Sequence, residues 1–109
     1  MERELKRGTL EMVLLKLLRE REMYGYELVT AFQERGNGEF QVKDGTLYPV
    51  LYRLEKAGHV EPRWETQERG VPRKYYRVTA AGQKQADQLI GEWRTFVNTV
   101  ESLLNEEKQ

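Results

Sequence analysis

The sequence has no cysteine and one histidine, His59. Disulfides, thiolate-bound zinc and a thiol nucleophile are therefore excluded, as is a metal site built from several imidazoles. His59 follows Gly58 at a helix end, which suits a local cap or surface residue better than a catalytic base. No glycine-rich loop follows a strand and opens a helix, so Gly36-Asn37-Gly38 is not a phosphate cradle. No carboxylate pair is isolated in apolar surroundings. These gaps leave an enzyme without its usual chemistry. The strongest apolar stretch, around residues 12–18, is far short of a membrane span. The opening Met1-Glu-Arg-Glu-Leu-Lys-Arg has no apolar signal core, so a cytoplasmic protein is expected. Net charge is also missing, with 18 Lys and Arg against 18 Asp and Glu. Nucleic-acid binders are usually basic, so the total by itself argues mildly against one.

What is present is a chain of 109 residues, 39% hydrophobic and 33% charged. That is too apolar for a disordered tail and enough for a single core. Leu10 to Leu18 is apolar nearly all round a helical wheel, predicting a buried first helix that Thr9 can cap. Tyr24, Leu28, Ala31 and Phe32 mark a short second helix that ends at Gly36-Asn37-Gly38. Phe40 to Lys43 reads as an extended link. Asp44 sits at the expected N-cap of a third helix, with a stripe of Leu47, Val50, Leu51 and Leu54. Pro49 falls in its first turns and Gly58 ends it. The period then changes from about 3.6 to 2. Residues 60–65 and 74–78 flank a Gly70-Val71-Pro72 turn, predicting a hairpin whose tip lies near residues 66–72. Thr79 caps a last helix from about Ala80 to Leu104.

The expected fold is mostly α with a small β-hairpin (α+β). A winged helix-turn-helix over residues 1–79 is followed by a long C-terminal helix over residues 80–109, in one integrated unit. Ala86, Ile90, Trp93, Val97, Val100 and Leu104 repeat at spacings of 4, 3, 4, 3 and 4, an a/d seam. Leu89, Phe96 and Leu103 form a second row beside it. Two apolar rows on one polar helix suggest two covered surfaces, and a second copy is the natural cover for one. The alternative is that both rows pack on the first helix of a monomer.

The zero charge divides along the chain. Residues 1–78 hold 15 basic and 13 acidic residues, a net of +2; residues 79–109 hold 3 and 5, a net of −2. Arg69, Arg73, Lys74 and Arg77 lie within nine residues that contain no acid. In a winged helix-turn-helix the helix before the hairpin enters the major groove, and the hairpin tip reaches the adjacent backbone or minor groove. The outward face of the third helix carries Thr46, Tyr48, Tyr52, Arg53 and Lys56, all donors or cations. The two tyrosines also suit half-buried packing. Acids in the same half should keep non-specific affinity modest and salt-sensitive.

Met23-Tyr24-Gly25-Tyr26-Glu27-Leu28, Asp44-Gly45-Thr46-Leu47-Tyr48-Pro49, Arg53-Leu54-Glu55-Lys56-Ala57-Gly58 and Gly70-Val71-Pro72-Arg73-Lys74-Tyr75-Tyr76-Arg77-Val78-Thr79, with Gly82, resemble the PadR family of bacterial transcriptional regulators. The likeness spans about residues 5–104 and points to the compact subgroup with one C-terminal dimerisation helix. It implies a homodimeric repressor on a palindromic double-stranded DNA operator, with no cofactor and no catalytic or metal-binding residue. By position, it implies operator contacts from Lys43, Thr46, Tyr48, Pro49 and Arg53. It implies a wing contact from Gly70, Arg73 and Lys74, and the acid-free cluster adds Arg69 to the expected DNA-binding residues. Trp93, with Met12 and Val97 as neighbouring walls, matches a pocket for a flat aromatic effector. Val97 stands where some relatives carry an acid, which favours a neutral ligand over a cationic one. Two other readings compete. One is a winged-helix module that binds another protein through its seam and has no DNA role. The other is a small-molecule sensor without DNA.

Overall fold

The structure, a computed structural model, describes residues 3–4 and 6–105. The expectations for the first residues and for residues 106–109 of the C-terminal segment fall outside that range. Nine elements follow in order: β1 (Arg3–Glu4), α1 (Arg7–Glu20), β2 (Met23–Tyr24), α2 (Gly25–Arg35), β3 (Phe40–Gln41), α3 (Asp44–Lys56), β4 (Val60–Glu65), β5 (Arg73–Val78) and α4 (Ala80–Leu104). The α+β class and the winged-helix order match the expectation. So do the hairpin tip and the extent of the last helix.

α1 is the central element. Leu10, Leu14 and Leu15 are fully buried, and Leu17 and Leu18 nearly so. They meet Leu28 and Phe32 of α2, the Leu47–Val50–Leu51–Leu54 stripe of α3, and Val60 and Tyr76 of the hairpin in one core. Leu47 and Leu51 are fully buried. The 3.6-residue spacing of these side chains alone puts them on one face, and burying each contributes about 1.5–3 kcal/mol.

Three local expectations need correction. α1 begins at Arg7, with Lys6 as its N-cap, so Thr9 lies inside the helix and does not cap it. Asp44 is the first residue of α3, and Lys43 occupies the cap. Tyr24 is not helical: it closes β2, which pairs antiparallel with β5 through Met23–Tyr76 and Tyr24–Tyr75. The hairpin therefore belongs to a three-stranded sheet of order β2-β5-β4. β1 and β3 form a separate parallel pair.

Thr79 fastens α4 to the rest. Its hydroxyl accepts from the Gly82 N–H at 3.0 Å and donates to the Gly58 carbonyl at 2.6 Å. Its own N–H donates to the His59 carbonyl at 3.0 Å. Gly82 lies so close to that carbonyl that any Cβ would collide with it. The start of α4 is thus locked onto the turn that ends α3. Arg19 of α1 adds an ion pair with Asp87 at 2.7 Å.

Farther along, α4 leaves the core. Ala86, the first residue of the expected seam, is fully buried in the chain's own core, where this end of the heptad row packs on the body. Ile90, Val97 and Val100 are half-buried, while Trp93 and Leu104 are exposed. The long helix stretches the molecule to 67 Å, against 33 and 21 Å across. Among the described residues, no helix is long and apolar enough to cross a membrane.

Candidate nucleic-acid interface

α3 shows the surface that its amphipathic pattern implies. With Leu47, Val50, Leu51 and Leu54 turned inward, Thr46, Tyr48, Pro49, Tyr52 and Lys56 are left exposed. Pro49 stands in the second turn, where it removes the bond to the Gly45 carbonyl; Gly45 is exposed, so water can serve that oxygen. Lys56 lies over the Tyr52 ring at 5.5 Å.

An open cleft runs from the start of α2 and α3 to the wing. Tyr24, Gly25, Tyr48, Trp64, Arg69, Gly70, Arg73 and Lys74 all line it. The structure thus brings together one residue expected on α3 (Tyr48) and four expected on the wing. Lys43 borders a separate shallow groove with Phe40 and Val42.

The cleft depends on a detail that the sequence reading missed. The Tyr48 phenol lies directly over Gly25, where any Cβ would strike its hydroxyl. A glycine at the first position of α2 is therefore what lets the tyrosine of α3 cross this point. Burial raises the Tyr48 pKa above its ordinary value, and the charges of Asp44 and Tyr76 act in the same direction. Its hydroxyl stays protonated at neutral pH and can donate to a phosphate or a base edge.

Charge on the wing is more selective than its count suggests. Lys74 pairs with Glu55 of α3 at 3.2 Å, and Arg77 pairs with Glu61 at 3.1 Å. Burial works to lower the Lys74 pKa, but hydrogen bonding to Glu55 and the charges of Tyr76 and Glu55 outweigh it and leave it raised. Arg53 turns back to Glu11 of α1 at 3.9 Å. Among the described residues, Arg69 and Arg73 make no ion pair. Arg73 rests on the Tyr24 ring at 4.7 Å, an arrangement that holds a guanidinium in place while leaving its charge available. A patch of four cations in sequence therefore becomes two arginines free of acids at the mouth of a cleft.

The expected effector residues stand on two helices. Met12 is buried in α1 at 9% exposure. On α4, Trp93 is 44% exposed, with its ring 6.2 Å from that of Phe96, and Val97 is half-buried. Among the described residues, no group of three or more His, Cys, Asp or Glu is placed to hold a metal ion.

The architecture is shared with known regulators. A transcriptional regulator from Clostridium thermocellum superposes with a TM-score of 0.84 at 29% identity, over 91% of this chain and 96% of that one. A PadR family transcriptional regulator from Eggerthella lenta gives 0.82 at 36% identity, over 93% and 86%. In sequence, an uncharacterized protein of Lysinibacillus sphaericus is 40% identical over 87 residues, 80% of each chain. The model of the PadR-like transcriptional regulators matches residues 14–88, a span that runs from the middle of α1 through α3 and the wing into α4. With that match and the shared architecture, the chain belongs to the PadR-like family of transcriptional regulators.

Proposed function

We propose that this regulator is a dimeric repressor that binds a palindromic double-stranded DNA operator in a sequence-specific manner. Each copy would place α3 in the major groove of one half-site and its wing against the flanking backbone. The observation that carries this reading is the cleft that Arg69 and Arg73, in no ion pair among the described residues, line together with Tyr48 of α3. Thr46, Tyr48 and Pro49 would meet the bases and their edges, with Lys43 beside them. Arg69, Gly70 and Arg73 would hold phosphates. Arg53 and Lys74 stand behind this line, each paired with a glutamate.

The proposed dimer rests on α4. Phe96, Leu103 and Leu104 are 61%, 80% and 70% exposed, and Trp93 joins them on the same helix. An apolar stripe of this size on a regulator fits a second copy of itself, which doubles the DNA-binding surface as a palindrome requires. Pairing would also bring two Trp93 side chains toward each other, the basis for a flat, neutral aromatic effector between them.

Binding to duplex DNA across a salt series tests the reading. Log affinity should fall linearly with log salt, by roughly 0.9 for each phosphate contacted. Arg73→Ala should weaken binding to every duplex and lower that slope by about 0.9. Thr46→Ala should weaken a sequence selected from random duplexes more than a non-specific one. A salt-independent affinity, or equal losses from both substitutions on both duplexes, would falsify the assignment.

A further inference from the structure

The outer half of the hairpin stands clear of the core. Val60 and Tyr76 are its last deeply buried side chains, whereas Trp64 is 63% and Val71 81% exposed. Several contacts secure the hairpin to the body: β5 pairs with β2 at Tyr75–Tyr24, Arg63 of β4 pairs with Glu22, and Arg73 rests on the Tyr24 ring. All of these reach the α1–β2 side; Lys74 reaches α3. On β5, Lys74 lies opposite Trp64 of β4 in the ladder register. Its ammonium sits 3.2 Å from Glu55 Oε1 of α3, 5.7 Å from the centre of the Trp64 ring and 5.3 Å from that of Tyr76. Both charged side chains are 31% exposed. Lys74 is thus surrounded by one carboxylate and two ring faces, and among the described residues it forms the ion pair that joins the wing to the helix expected to read bases.

We infer that Lys74 is a positioning residue and not a phosphate contact: with Glu55 it fixes the angle between the wing and α3, so that both meet the same half-site. The inference rests on the DNA-binding reading. A cation already neutralised by a carboxylate adds little to the field that a phosphate meets. A pinned wing, by contrast, removes a motion that would have to be frozen on binding. The two roles predict opposite signs for Glu55. If Lys74 holds a phosphate, removing the nearby acid strengthens DNA binding. If the pair positions the wing, removing the acid weakens it.

The test compares wild type, Glu55→Gln, Lys74→Met and the exchanged pair Glu55→Lys/Lys74→Glu. The duplexes are one recovered by the wild type from a random pool and one of random sequence. Each single substitution should lower affinity for the recovered duplex by about fivefold with an unchanged salt slope, the size expected for a partly buried ion pair. The exchanged pair should recover most of that loss. Tighter binding by Glu55→Gln, or a slope reduced by about 0.9 in Lys74→Met, overturns the inference.

A second readout needs no DNA. With 5-fluorotryptophan in the full-length protein, the fluorine resonance of Trp64 should move in both single variants while that of Trp93 stays in place. Trp93→Phe assigns the two signals. A fixed Trp64 resonance overturns the positioning role. A wild type that binds neither duplex overturns the DNA-binding reading, and the Trp64 signal then decides whether the pair pins the wing.

Discussion

Residues 7–79 and the far half of α4 treat their apolar side chains in opposite ways. In the first region Leu14, Leu28, Leu47 and Leu51 are fully buried within one chain. In the second, Phe96, Leu103 and Leu104 lie mostly in the open, although the heptad spacing there is just as regular. Regular spacing creates a face in both regions; only the first supplies its own cover. The body can therefore be stable as a single chain, while the end of α4 would gain its burial from the proposed association.

The strongest way to break this comparison is a cavity in the body. Leu14→Ala should cost about 3 kcal/mol. The loss should be the same at low and high protein concentration, as read from urea midpoints. Strong concentration dependence would show that the body also relies on a partner. An intermediate effect is expected from Phe96→Asp. It removes about 2 kcal/mol of apolar burial per copy and sets two charges against each other across a paired helix. Sedimentation equilibrium should show the mass falling from two chains toward one, with the body still folded by near-ultraviolet circular dichroism. An unchanged dimer mass would place the interface elsewhere.

The smallest effect belongs to the surface of the body. Glu20 of α1 accepts a hydrogen bond from Arg35 of α2 at 2.7 Å. That bond outweighs the opposing effect of desolvation and, with the charges of Arg35 and Lys16, holds the Glu20 carboxyl below its ordinary value of 4.5. A carboxyl with a lowered folded-state pKa stabilises above its unfolded value and loses that contribution as pH falls through the folded one. Glu20→Gln should therefore shallow the decline of the urea midpoint below about pH 4.5, with little change near neutrality. An acid limb identical to wild type would show that the exposed pair adds nothing.

The sequence made those features legible that are set within a few residues. The α3 stripe, the Gly70-Val71-Pro72 turn and the Thr79 cap each carry their own local chemistry, and each lies where expected. β2 was hidden because two residues hold no period; Met23 and Tyr24 become a strand only through β5, some fifty positions later. Ala86 and Leu104 look alike in a heptad count, because spacing does not say which neighbour covers a face. At the candidate site, the polar face of α3 and the basic wing could be read from the chain. The Glu55–Lys74 pair, which divides the basic cluster into paired and unpaired cations, could not, since it joins two elements through the fold. The Gly25–Tyr48 crossing had a faint signal in a glycine that opens a helix between two tyrosines, but its partner was not readable.

The lock between Thr79, the Gly58–His59 turn and Gly82 also governs how the chain can change in length. One residue added there would rotate everything beyond it by about 100° and advance it by about 1.5 Å. In a paired assembly, the two reading helices would then face away from their former spacing on DNA. At residues 66–72 an added residue only lengthens an exposed loop. Drift in the loop can therefore be gradual, whereas in the proposed dimer a change at the joint would have to be matched by a new distance between the half-sites of its operator.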